Sequence, residues 1–168
     1  IMGILNITYD SFSKASNNIL SKEEAIKKAL MMYEDGASII DIGGESTRPG
    51  AIKVTIEEEQ KRVIPIIKEL SKFNIPISCD TRNSSTMQAA IDEGATIIND
   101  ISALSDDKAA DIISKNNSGL IMMHMQGQPN NMQNKPVYKN VSFEIKKYLE
   151  SKINYAIKKG IKEKNIII

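Results

Sequence analysis

The chain has 168 residues, with 22 basic against 21 acidic side chains and a net charge of +1. This length supports one domain with its own core, and the balanced charge argues against nucleic acid or an anionic membrane surface as a partner. A single cysteine, Cys79, excludes an internal disulfide framework, and no apolar stretch is long enough to span a bilayer. With no basic-then-apolar signal segment in view, the expected location is the cytoplasm or an equivalent reducing compartment.

Short apolar runs alternate with amphipathic stretches along the whole chain. Strands are expected at 1–8, 38–44, 76–81, 95–101, 119–125 and 165–168, each apolar at nearly every position, as in a strand buried on both faces. The intervening helices carry start and stop signals. Ser21 to Glu24 and Thr55 to Glu58 read as capping boxes, Asn83 and Ser105 as N-caps, and Gly36, Gly94 and Gly160 as stops. The last helix is expected at about 142–159, amphipathic, with Ile145, Leu149 and Ile153 on its apolar side. Long polar stretches at 9–20 and 127–141 read as loops.

Repeated β-α alternation predicts a parallel sheet, either doubly wound or closed as a (β/α)8 barrel. The polar residues favour the barrel. Asn6, Asp41 with Glu45, Asp80, Asn99 and His124 all fall at or near the C-terminal ends of successive strands, which ring one mouth in a barrel. No Gly-x-Gly-x-x-Gly fingerprint follows the first strand, as a dinucleotide-binding doubly wound sheet would require. The expectation is therefore an α/β TIM barrel, truncated to about six strands and five helices. Both ends of the chain fall in apolar runs, so residues 1–168 are read as one partial domain lacking strands seven and eight.

Asp41-Ile-Gly-Gly-Glu-Ser-Thr-Arg-Pro-Gly50 is built to hold an anion. Its glycines let the backbone approach a ligand, Ser46 and Thr47 offer hydroxyls, and the Arg48 guanidinium can grip a phosphate or pyrophosphate through two hydrogen bonds. Asn6 either satisfies a turn or offers a neutral oxygen to Mg²⁺ carried by a phosphorylated substrate. Asp80 and Asn99 either cap and bond locally or read the N–H and C=O edge of a flat, nitrogen-rich heterocycle, with Asp80 able to stabilise a developing cation. Asp100 points to the other face of its strand and is read as structural. His124, the only histidine, is read as a packing residue, and Cys79 as a small buried hydrophobe. No strand ends in lysine, which argues against Schiff-base chemistry.

Five blocks, MGILNITYDSFS (2–13), DIGGESTRPGA (41–51), CDTRNS (79–84), GATIINDIS (94–102) and MHMQGQP (123–129), resemble in content and order the dihydropteroate synthase family. That resemblance implies a transferase of folate biosynthesis, condensing a dihydropterin methyl diphosphate with 4-aminobenzoate, with small-molecule partners, Mg²⁺ and a homodimeric state. It implies that Asn6 binds the Mg²⁺, that Thr47 and Arg48 contact the pyrophosphate, and that Asp80 and Asn99 hold the pterin ring. Asp80 and Arg48 would be the catalytic pair. Phe12 and Pro49 would shape the aminobenzoate pocket, and Ile101 and Met123 would line the pterin pocket. The chain departs from the family at Tyr9, where Pro is usual, and at Lys14-Ala-Ser16. It also ends before the family's later Asp, Lys, Arg and His, so the expectation for these 168 residues alone is negligible turnover. The alternatives are a pterin-binding methyltransferase domain and an inactive fragment.

Overall fold

The computed structural model describes residues 1–8, 20–46, 53–127, 131–132 and 135–168. Among these residues five α-helices alternate with six strands: β1 (Met2–Asn6), α1 (Lys22–Glu34), β2 (Ile39–Gly43), α2 (Ile56–Leu70), β3 (Ile77–Asp80), α3 (Ser84–Asp92), β4 (Ile97–Asp100), α4 (Ala109–Asn116), β5 (Gly119–Met122), α5 (Val141–Lys158) and β6 (Ile166–Ile167). All pairings are parallel, and the strands lie side by side in chain order, from β1 to β6. A doubly wound sheet would reverse its strand order partway across. Consecutive order is the winding of a barrel wall, open here between β1 and β6.

Strand residues of alternate parity face opposite ways. One parity set, Leu5, Ile42, Cys79, Ile98 and Leu120, forms a row across five strands and has no solvent exposure. The helices bury this face with Ala25, Ala29, Val63, Ile67, Met87, Ala90 and Ile113. Burial of each larger aliphatic side chain stabilises the fold by roughly 1.5–3 kcal/mol. The opposite face is less covered: Ile4 is 58% exposed, and Ile97 and Ile121 are half-buried. The expectation of strands buried on both faces therefore holds throughout on the helix side, where the crossover helices pack, and on the other face for Asp41 and Ser78 but not for Ile4.

Local signals place the helices with three corrections. Ser21 forms the full capping box with Glu24, but Thr55 forms half of one: its hydroxyl accepts from Glu58 N, while the Glu58 carboxylate accepts from Arg62 Nε instead. Ser105 does not cap α4, which starts four residues later; Asp106 accepts from Lys108 N at 3.0 Å and from Ser84 N at 2.9 Å, serving two helix starts. Asn83 stands at the N-cap of α3 without bonding it, since its side chain is drawn elsewhere. Gly36, Gly94 and Gly160 end helices at φ of 104°, 112° and 93°, where a side chain would be strained. The α5 helix is capped by Asn140, whose side chain accepts from Phe143 N at 3.1 Å, and of its described residues only Ala156 is fully buried.

Candidate active site

The strand register assembles the site. Asn6 pairs with Gly43, Gly43 with Asp80, and Asp80 with Asn99, so four strands contribute to one lateral row at their C-terminal ends. This row has the parity opposite to the buried Leu5 row, which turns it away from the helices. Asn6, Asp80 and Asn99, expected from the sequence at one mouth, are thus brought into one row. Gly43 supplies the space between two of them: a Cβ there would lie 3.3 Å from Asn6 Oδ1 and 3.3 Å from Asp80 Oδ2. Two hard oxygens therefore flank a spot that carries no side chain.

Asp41 lies two residues before Gly43 on the same face and pairs with Ser78. Its Oδ2 accepts from Asn99 Nδ2 at 3.1 Å. Its Oδ1 and the Ser78 hydroxyl, both buried, complete no hydrogen bond of proper geometry. Burial raises the Asp41 carboxyl above the usual carboxylate range, and the neighbouring Ser78 hydroxyl and Asn99 amide offset part of that rise. Asp80 is pushed further, to about 8, by burial first and then by the negative charges of Asp41, Glu59, Asp100 and Glu45. The free site therefore holds Asp80 largely protonated at neutral pH. A ligand that donates N–H groups to it would replace the lost water and favour the carboxylate.

The strand ends are fixed from beneath and from the side. Gly44 O accepts from Arg62 Nη1 at 2.9 Å. Glu45 accepts from Arg82 Nε at 3.0 Å and Nη2 at 3.1 Å, a two-point pair whose side chains are 9% and 18% exposed. The same carboxylate accepts from Val54 N at 3.2 Å, so Glu45 ties the turn after β2 to the start of α2 and to the turn after β3. Sequence reasoning placed Asp41 with Glu45 at the mouth and Gly43 in the anion-holding stretch, but missed the Asp41–Asn99 bond, the spot left open at Gly43 and the Glu45–Arg82 pair. The first two had a legible signal, because alternation in Ile39–Gly43 puts Asp41 and Gly43 on one face.

Ile101 is 8% exposed just past β4 and lines a cavity of about 300 Å³ with Arg82, Ser102, Tyr148 and Lys152. Met123, just past β5, is 40% exposed. Thr47, Arg48, Pro49 and Phe12 lie outside the described residues. His124 packs edge-on against Tyr148 at 4.9 Å between ring centres and lies 5.8 Å from Tyr138, consistent with a packing role. Asp100 is fully buried and accepts from Ser102 N, Ser102 Oγ and Leu104 N, as its outward parity requires. Cys79 is buried, and burial followed by the charge of Glu59 raises its thiol well above the ordinary value. Among the described residues, no three His, Cys, Asp or Glu side chains converge as a metal cluster, and no helix is long and apolar enough to cross a membrane.

Comparison with known proteins supports the fold and shows the family. The dihydropteroate synthase of Neisseria meningitidis serogroup C is 41% identical over 170 residues, covering 100% of this chain and 60% of that protein. The Yersinia pestis dihydropteroate synthase, solved with a sulfonamide drug complex, superposes with a TM-score of 0.90 at 39% identity, over 98% of this chain and 60% of that one. The Burkholderia cenocepacia enzyme, solved with 7,8-dihydropteroate, gives a TM-score of 0.85 at 38% identity, over 98% of this chain and 55% of that one. The chain thus spans about 60% of the length of the Neisseria relative. The profile of pterin binding enzymes matches residues 2–168. With that match running through every strand of the sheet and every residue of the polar row, the chain belongs to the pterin-binding enzyme family.

Proposed function

We propose that this chain carries the pterin and pyrophosphate seats of a dihydropteroate synthase, which joins 7,8-dihydropterin-6-ylmethyl diphosphate to 4-aminobenzoate. The observation that supports this reading best is the row Asn6, Gly43, Asp80, Asn99, which presents an amide, an open spot, a carboxyl and a second amide to a single ligand. Asp80 accepts N–H donors from the flat pterin edge, and Asn99, oriented by Asp41, offers both an acceptor and a donor. Ile101 and Met123 supply apolar contact with the ring, while Phe12 and Pro49 flank the aminobenzoate.

In the reaction the C–O bond between the pterin methylene and the diphosphate breaks, and its electron pair leaves with the diphosphate. The aniline nitrogen forms the new C–N bond and then loses a proton. Asp80 steadies the positive charge that spreads from the methylene into the ring, and Thr47 and Arg48 bind the departing diphosphate. None of these steps needs a strong nucleophile from the protein. Mg²⁺, when bound, supplies neutralisation of phosphate charge. The amide oxygen of Asn6 facing the bare Gly43 fits a hard cation that keeps most of its ligands from water and phosphate. The homodimeric state belongs to the same reading and rests on family resemblance, and the cytoplasmic location is proposed on the single cysteine, a free buried thiol at Cys79.

Calorimetry of the 168-residue chain with the dihydropterin diphosphate, with and without Mg²⁺, tests the proposal. The expected result is saturable binding that strengthens with Mg²⁺ and that Asn6→Ala makes insensitive to the metal. Binding of methylated folate in preference to the diphosphate, indifferent to Mg²⁺, would sink the reading in favour of a methyltransferase domain.

A further inference from the structure

We propose that Glu59, on α2, is a positioning residue that holds the turn after β3, and through it the Asp80 and Asn99 strand ends, in the geometry the pterin requires. Glu59 belongs to the acidic run Glu57, Glu58, Glu59, which looks like a solvated first helical turn favoured by the helix dipole. Glu57 is exposed, but Glu59 is 1% exposed. A carboxylate buried this fully is expensive unless its oxygens are satisfied.

Its partners all come from the segment that begins one residue after Asp80. Oε1 accepts from Thr81 Oγ1 at 2.8 Å, and Oε2 accepts from Asn83 Nδ2 at 2.8 Å and Thr86 Oγ1 at 2.7 Å. Thr81 Oγ1 accepts in turn from Asn83 N at 3.2 Å, which closes the turn on itself. On its other side, Thr81 N donates to the Asn99 carbonyl at 3.1 Å. Glu59 therefore reaches both pterin-facing strand ends through one threonine. Gly44 lets α2 come this close: a Cβ there would sit 2.9 Å from Val63 Cγ1 and 3.1 Å from Glu59 O. Capping does not explain the arrangement. The Asn83 side chain gives up its helix-start bond to serve Glu59.

The inference rests on the proposed pterin seat, and its test separates the two. In the 168-residue chain, Glu59→Gln keeps the shape and removes the charged acceptor, while Thr81→Val and Thr81→Ser delete and restore one arm of the clamp. The readouts are amide hydrogen exchange at residues 81–86 and calorimetric affinity for two probes, 6-hydroxymethylpterin and inorganic pyrophosphate with Mg²⁺. Glu59→Gln and Thr81→Val are expected to weaken pterin binding about 10-fold and to speed exchange at 81–86, with pyrophosphate affinity within about twofold of wild type and Thr81→Ser restored. Parallel loss of both ligands with uniformly faster exchange would mean a merely structural role, and wild-type values in a folded Glu59→Gln would equally overturn the proposal. If the wild-type chain binds no pterin, the functional reading fails, and the exchange comparison alone then decides the clamp.

Discussion

Asn99 on β4 donates its side-chain amide to the carboxylate of Asp41 on β2, at 3.1 Å across the intervening strand β3. The bond joins two rows of the same face, since Asp41 lies one row below Asn99 in the strand register. It also orients the amide, leaving the Asn99 side-chain oxygen for a ligand.

Removing that amide strands a carboxylate. Asp41 is 3% exposed, and its other oxygen already lacks a partner, so Asn99→Leu leaves both oxygens unsatisfied. The expected loss is about 1–3 kcal/mol at pH 7, read by urea denaturation. The loss should shrink in acid, where Asp41, already raised by burial, takes up a proton and costs less to keep inside. An equal loss at every pH would show that the amide acts through packing alone.

Asp80 gives the fold a pH dependence of opposite sign to that of a salt-bridged acid. Its carboxyl is raised from 3.8 to about 8, chiefly by burial. Between those values the native chain holds a proton that the unfolded chain releases. This contribution to stability is fully present below about pH 4 and is lost as pH rises towards 8. Asp80→Asn should flatten the stability profile across that window and be no less stable than wild type at pH 8, measured by thermal unfolding at several pH values. A wild-type profile that climbs through the window, with no change in Asp80→Asn, would contradict the assigned environment.

Gly43→Ala separates folding from binding. The added methyl would meet Asn6 Oδ1 and Asp80 Oδ2 at 3.3 Å and Asp80 Cβ at 3.4 Å, contacts that small side-chain shifts relieve. Stability should change by less than about 1 kcal/mol. Affinity for the dihydropterin diphosphate should nevertheless fall by about 10-fold or more, because the methyl fills the spot that the two oxygens flank. Intact affinity in the alanine variant would show that the ligand does not use that space.

The chain's order of β and α elements, its strand-end polar residues and its helix stops follow from local sequence, because periodicity, capping and glycine conformation act over a few residues. Alternation alone also turns Asp41, Gly43, Asp80 and Asn99 away from the buried rows. The tertiary structure realises the consecutive parallel order that the barrel reading expected, through helices packing against the sheet. It also decided that Glu59 is buried while Glu57 is exposed, that Asn83 serves Glu59 rather than its own helix, and that Asp106 caps two helix starts. Apart from the local Asp106–Lys108 bond, those choices are settled by partners more than twenty residues apart. A buried carboxylate takes its donors wherever packing brings them, and local pattern carries no record of that.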